Sequence, residues 1–111
     1  MKAVIAAYAR SPFQFARKGR LAEVRPDTLA AQVVQGLLKR SDLDPALLED
    51  VILGCAYPEA AQGNNLARIV GLLAGLPETV GGMTVNRFCG SSMQAVHIAA
   101  AQIEAGTGDA S

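Results

Sequence analysis

A predicted strand passes into a predicted helix within the segment Val85-Asn86-Arg87-Phe88-Cys89-Gly90-Ser91-Ser92-Met93. We predict the strand over Gly82–Phe88, and Gly90 allows the backbone to turn sharply after it. The helix is predicted over Ser91–Ala105, because apolar residues fill this range and Gly106 is a natural C-cap. This junction is the most informative part of the chain.

Two further strand–helix pairs precede the junction. Short apolar runs that end near a proline predict buried strands over Ala3–Ala9 and Val51–Ala56. Apolar residues at helical spacing predict an amphipathic helix over Asp27–Arg40 and another from Leu66 to Leu73. Because strands alternate with helices, we predict an α/β fold of three strands with parallel neighbours and right-handed crossovers.

The composition is that of one small globular domain at most. The 111 residues are 50% hydrophobic, and ten Lys plus Arg balance ten Asp plus Glu. This excludes a disordered segment and argues against a nucleic-acid binder. No stretch approaches the roughly 20 apolar residues of a membrane span, and the apolar run at Val4–Ala9 is too short for a secretory signal. Two cysteines in an aliphatic-rich chain favour a reduced, cytoplasmic setting.

The last predicted helix is apolar almost all the way round. Its apolar side chains include Met93, Val96, Ile98 and Ile103. Such a helix is normally buried on most sides, but three short strands offer little to cover it. We therefore expect residues 1–111 to be an incomplete part of a larger domain.

Cys89 is a candidate nucleophile. It lies between a strand and the first turn of a helix, where amides without intrahelical partners carry partial positive charge. That setting favours the thiolate, which is the reactive form of cysteine. The backbone N–H of Cys89 could also serve as an oxyanion donor. The alternative is a buried cysteine that acts as a small hydrophobe, and these physical arguments alone leave both interpretations open.

Two other residues invite a catalytic interpretation that their positions do not support. Cys55 lies inside an apolar strand, so we predict a structural role for it. His97 follows Cys89 by eight residues, which is about 12 Å along a helix. It is therefore too far away to act as the base for Cys89 in its own chain.

Four motifs resemble those of the thiolase family, in order and along essentially the whole chain. The segment from Asn86 to Ala95 is similar to the family's nucleophilic-cysteine motif, and Arg10-Ser11-Pro12-Phe13 resembles the turn after its first strand. Gln62-Gly63-Asn64-Asn65-Leu66-Ala67-Arg68 resembles its Gln-Gly-x-Asn-x-Ala-Arg segment, and Gly108-Asp109-Ala110 the entry into its next strand.

The resemblance implies an enzyme of fatty acid metabolism that transfers acyl groups between coenzyme A and a cysteine, here Cys89. It implies acyl-CoA thioesters as substrates, no covalently bound cofactor, no metal, and a homodimer or tetramer. Asn64 and Arg68 would lie in a segment that packs at the dimer interface near the active site. Arg10 and Asn86 are expected to be structural.

The resemblance also implies a longer enzyme. Residues 1–111 would be the front part of a thiolase-like N-terminal domain, inactive alone, and the activating histidine and a second cysteine would follow Ser111. Many acetyl-specific members have glycine at the position of Ser92. The serine makes this chain more similar to the degradative 3-ketoacyl-CoA branch. The alternatives are a non-catalytic thiolase-like protein that binds acyl chains or a partner, and a ketoacyl synthase, against which the Gln-Gly-x-Asn segment argues.

Overall fold

The computed structural model describes residues 2–111. Within them lie three α-helices, which are α1 (Pro26–Ser41), α2 (Leu66–Leu73) and α3 (Ser91–Ala105). Two strands form the sheet, β1 (Asp50–Gly54) and β2 (Gly81–Val85), and single 3₁₀ turns occur at Pro45–Leu47, Ala60–Gln62 and Phe88–Gly90. None of the helices in this part of the chain is long and apolar enough to cross a membrane.

The sheet lies between two helical layers. Strands β1 and β2 pair in parallel, with Asp50 opposite Gly81 and Gly54 opposite Val85. Helices α1 and α2 pack on each other, and α2 covers β2, whereas α3 packs mainly on β1. Successive strand residues point to opposite faces of the sheet. Thr84 of β2 contacts α2 on one face, and Gly54 of β1 contacts α3 on the other. The predicted α/β class and parallel pairing are confirmed.

The apolar core lies on the side of the sheet that α1 and α2 cover. Val70 and Val80 are its most deeply buried large side chains. Partly buried residues of β1, Val51 and Leu53, pack against it. The other buried members of this cluster are Ala31, Cys55, Leu66, Ala74 and Leu76.

The prediction of a strand over Ala3–Ala9 is wrong for the structure described. This segment has irregular backbone, and Val4, Ile5 and Tyr8 are each more than 80% exposed. A strand forms only beside another strand that pairs with its backbone groups, and within residues 2–111 only β1 and β2 pair. The sheet described therefore has two strands rather than the three predicted.

The burial expected for the last helix in a complete domain is not provided within residues 2–111, as the small number of predicted strands led us to expect. Only Ser91 and Ala95 of α3 are buried, whereas Met93 is 62% and Val96 50% exposed. One side of α3 rests on the sheet, and no second layer of the described residues covers the other side. The apolar pattern indicates which side chains of the helix can be buried. Their burial also requires a neighbouring element that packs against them.

Candidate active site

The junction after β2 is an elbow that carries Cys89. The strand ends at Val85, and a single 3₁₀ turn over Phe88–Gly90 leads directly into α3 at Ser91. Cys89 is the middle residue of that turn. The predicted passage from strand to helix is thus confirmed, and Cys89 lies immediately before the first helical turn.

Phe88 gives the elbow its sharp bend. Its φ of 46° lies in the left-handed region, where a bulky residue is uncommon and where the backbone stores about 1–3 kcal/mol of strain. Local hydrogen bonds hold it there. The Phe88 amide donates to Asn86 Oδ1 at 3.0 Å, and the Gly90 amide donates to the Arg87 carbonyl at 3.0 Å.

Ser91 closes the elbow from the helix side. Its side chain accepts a hydrogen bond from the Arg87 amide at 2.8 Å, and its hydroxyl donates to the Phe88 carbonyl at 2.7 Å. The residue is only 3% exposed. A buried hydroxyl with both partners satisfied fixes the backbone on each side of Phe88.

The two cysteines differ in accessibility. Both thiols are free, and Cys89 is exposed whereas Cys55 is buried at 7% exposure. Cys55 continues from β1, where its amide donates to the Val85 carbonyl at 2.9 Å. It packs in the core cluster. The structural role predicted for Cys55 fits this position, whereas Cys89 is exposed within residues 2–111.

Cys89 lies next to the N-terminus of α3. The N-cap residue of α3 is Gly90, which has no side chain to accept from the leading amides of the helix. Those amides carry the positive end of the helix dipole. The Arg87 guanidinium lies on the same elbow and donates to Gln94 Oε1 at 2.6 Å. An oxyanion that forms at the elbow would therefore meet unpartnered backbone donors.

His97 lies elsewhere on α3. Its side chain is exposed, two helical turns beyond the elbow, and the rise of about 1.5 Å per residue separates it from Cys89 by roughly 12 Å. The structure therefore does not bring these two residues together. Within residues 2–111 no group of three metal-ligating side chains is close enough to hold an ion.

The segment that contains Asn64 and Arg68 lies at the start of α2 and contacts the residues that lead into β2. Asn64 is exposed, with φ of 58°. The Arg68 guanidinium donates to the carbonyls of Glu78 and Val80, which lead into β2. Arg68 thus ties the start of α2 to the neighbouring strand, and its expected position at a dimer interface stays a prediction.

Sequence analysis missed two residues that shape the site. Helical spacing identifies Ser91 only as the first residue of the helix, although its buried hydroxyl braces the elbow. The apolar run Val51–Ala56 identifies Gly54 only as part of a strand, although a Cβ there would lie 2.6 Å from Ser92 Cα. A serine at the start of a helix is a sequence signal for capping, whereas the close approach at Gly54 leaves no local signal.

Comparison of the sequence with known proteins identifies its family. The family model for the thiolase N-terminal domain matches residues 3–111, so the chain belongs to the thiolase family. It is 50% identical over 106 residues to a 3-ketoacyl-CoA thiolase of Psychrobacter arcticus, covering 96% of this chain and 27% of that protein. It is 50% identical over 109 residues to one of Shewanella baltica, covering 97% and 28%. The chain thus spans little more than a quarter of these relatives.

Proposed function

We propose that residues 1–111 are the nucleophile-bearing front part of an acyl-CoA acyltransferase, with Cys89 as the residue that becomes acylated. One observation carries the proposal, namely the exposed Cys89 thiol on the elbow before α3. The identity of about 50% to proteins named 3-ketoacyl-CoA thiolases supports a 3-ketoacyl-CoA as the substrate class.

The chemistry follows from a cysteine nucleophile placed at a helix N-terminus. In the cleavage direction, Cys89 Sγ attacks the 3-keto carbon, the bond between the second and third acyl carbons breaks, and the shortened acyl group stays on sulfur as a thioester. The departing acetyl-CoA carbanion takes up a proton. The thiol of a second coenzyme A then accepts the acyl group and gives up its proton, and condensation is the reverse. The Cys89 amide helps to bind the thioester oxygen.

The proton transfers need groups outside these residues. His97 is the only histidine of the sequence and lies about two helical turns from the elbow, while Cys55 is buried in the core. We therefore propose that the segment is inactive alone and that a histidine and a second cysteine come from the rest of a longer enzyme. That enzyme would be a cytoplasmic homodimer or tetramer of fatty acid metabolism without a metal, and the segment with Asn64 and Arg68 would lie near its dimer interface.

Selective alkylation and acylation of the complete protein test the proposal. Iodoacetamide should label Cys89 much faster than Cys55, and incubation with a 3-ketoacyl-CoA should add the acyl mass to the peptide that contains Cys89. The C55A variant should keep both reactions, and C89A should lose the acyl mass. Equal labelling of the two cysteines, or acyl mass that persists in C89A, would refute the assignment.

A further inference from the structure

Ser91 is the buried polar side chain closest in sequence to the proposed nucleophile. It lies two residues after Cys89 and is 3% exposed. Its hydroxyl oxygen accepts from the Arg87 amide at 2.8 Å, and its O–H donates to the Phe88 carbonyl at 2.7 Å. One hydroxyl therefore bridges two successive residues that precede Cys89.

These two hydrogen bonds act on the strained residue of the elbow. Phe88 has φ of 46°, and its ring is 68% exposed, so packing of the ring does little to hold that conformation. The Ser91 hydroxyl holds the peptide groups of Arg87 and Phe88 instead. Without these two bonds the elbow keeps only the bond from the Phe88 amide to Asn86 Oδ1 and the bonds from the Gly90 and Ser91 amides to the Arg87 and Phe88 carbonyls. We expect the strained backbone at Phe88 then to shift toward a common φ, which would carry Cys89 away from the leading amides of α3.

We infer that Ser91 is a positioning residue, whose hydroxyl fixes the elbow so that Cys89 Sγ meets the substrate carbonyl at the start of α3. This inference rests on the proposed function of Cys89. It assigns no contact between Ser91 and the substrate, since the hydroxyl is buried and both of its partners are backbone groups of the elbow.

Steady-state kinetics of the complete enzyme test this role. S91A should lower kcat for thiolysis roughly tenfold to a hundredfold, as expected for a misplaced reacting group, while KM for coenzyme A changes less than twofold. S91T keeps a hydroxyl and should recover most of kcat. The matched control is S41A, because the Ser41 hydroxyl also donates to a backbone carbonyl, that of Leu38 at 3.3 Å, but lies exposed at the end of α1. It should leave both constants unchanged.

Two further measurements separate positioning from folding. Cys55 should stay resistant to iodoacetamide in S91A, because the core on the far side of the sheet does not depend on the elbow. In the wild-type enzyme, the Arg87 amide should exchange its hydrogen slowly, as a bonded amide does. Reactive Cys55 in S91A would overturn the inference, since the hydroxyl would then support the fold as a whole. Rapid exchange at Arg87 would overturn it directly.

The outcomes also distinguish this inference from the proposal on which it rests. Wild-type kcat in S91A, or an S91T variant as slow as S91A, would overturn the positioning role while acylation of Cys89 stood. A wild-type enzyme that carries no acyl group on Cys89 would instead refute the proposed function, and the positioning role with it.

Discussion

Gly54 and Ser92 bring strand β1 and helix α3 into backbone contact. A Cβ atom built on Gly54 would lie 2.6 Å from Ser92 Cα, closer than nonbonded carbon atoms approach in proteins. Only glycine permits this approach without a shift of the backbone. Ser92 follows Cys89 by three residues. The close approach that Gly54 allows between α3 and the sheet therefore also affects the position of the elbow that carries Cys89.

The G54A variant should therefore disturb both the fold and the candidate site. Since the methyl group meets backbone atoms of Ser92 rather than a flexible side chain, α3 must move away from β1. We expect a loss of about 1–3 kcal/mol in the free energy of unfolding, as for other overpacked sites, together with slower alkylation of Cys89. Denaturant unfolding and timed iodoacetamide labelling measure the two effects. Unchanged values for both would show that the close approach does not exist in solution.

Gly36 differs from Gly54 because a methyl group at its position would have free space around it. It lies inside α1, and a Cβ built there would meet no atom within 4 Å. The G36A variant removes backbone freedom from the unfolded chain and should raise the free energy of unfolding by about 0.5–1 kcal/mol. The rate of Cys89 alkylation should stay at the wild-type value. A destabilised G36A would mean that α1 has a neighbour at this position.

Local signals allowed the sequence to predict the end of the chain closely. Helix α3 spans the predicted range Ser91–Ala105, and Gly106 adopts φ of 75° as its C-cap. Helix capping and helical spacing depend on neighbours within a few residues, so they can be predicted from a single sequence. The position of Cys89 between strand and helix followed from the same signals.

Features that depend on distant residues could not be predicted in this way. The strand predicted over Gly82–Phe88 ends at Val85, because its pairing with β1 ends where Val85 lies opposite Gly54. The apolar run Ala3–Ala9 fits a strand by composition, but whether it becomes one depends on pairing with another strand. The contact that requires glycine at position 54 joins residues 38 positions apart.

Asn65 joins the start of α2 to strand β2. Its side-chain oxygen accepts from the Arg68 amide at 3.4 Å and from Thr84 Oγ1 at 2.8 Å, and its side-chain amide donates to the Gly82 carbonyl at 2.8 Å. The Thr84 hydroxyl in turn accepts from the Ala67 amide at 3.0 Å. The N65A variant removes a helix cap and leaves the Gly82 carbonyl without this donor, so we expect a loss of about 1–3 kcal/mol.

The matched variant N65D separates the two roles of this side chain. Aspartate keeps the oxygens that accept from Arg68 and Thr84 but cannot donate to Gly82, so the loss of unfolding free energy in N65D should fall between zero and that of N65A.

Asn65 and Thr84 share one hydrogen-bond network. The N65A and T84V substitutions together should therefore lower the free energy of unfolding by less than the sum of the two single variants. Chemical denaturation of the wild type, N65A, T84V and the double variant checks this, and strict additivity of the two losses would contradict a shared network.

Asp27 makes the stability of α1 dependent on pH. Its buried carboxylate lies in the first turn of the helix. It accepts from Arg25 Nε and Nη2 at 3.1 and 2.9 Å and from the Thr28 amide at 2.8 Å. The hydrogen bonds from Arg25 lower the pKa of Asp27 below its ordinary value of 3.8, and the bond from Thr28 acts in the same direction, whereas burial opposes both.

Since the pKa of Asp27 is lower in the folded than in the unfolded protein, the unfolded chain takes up its proton first as the solution is acidified. The stabilising contribution is complete above the ordinary value of 3.8 and is lost as the pH falls through the pKa of the folded state. The D27N variant should be less stable than wild type at pH 7, and the difference in unfolding free energy should shrink below about pH 4. Arg25 is 65% exposed, so added salt should also reduce the difference. Denaturant titrations of both proteins from pH 7 to pH 3 measure it, and a gap that stays constant over that range would rule out this ion pair as its source.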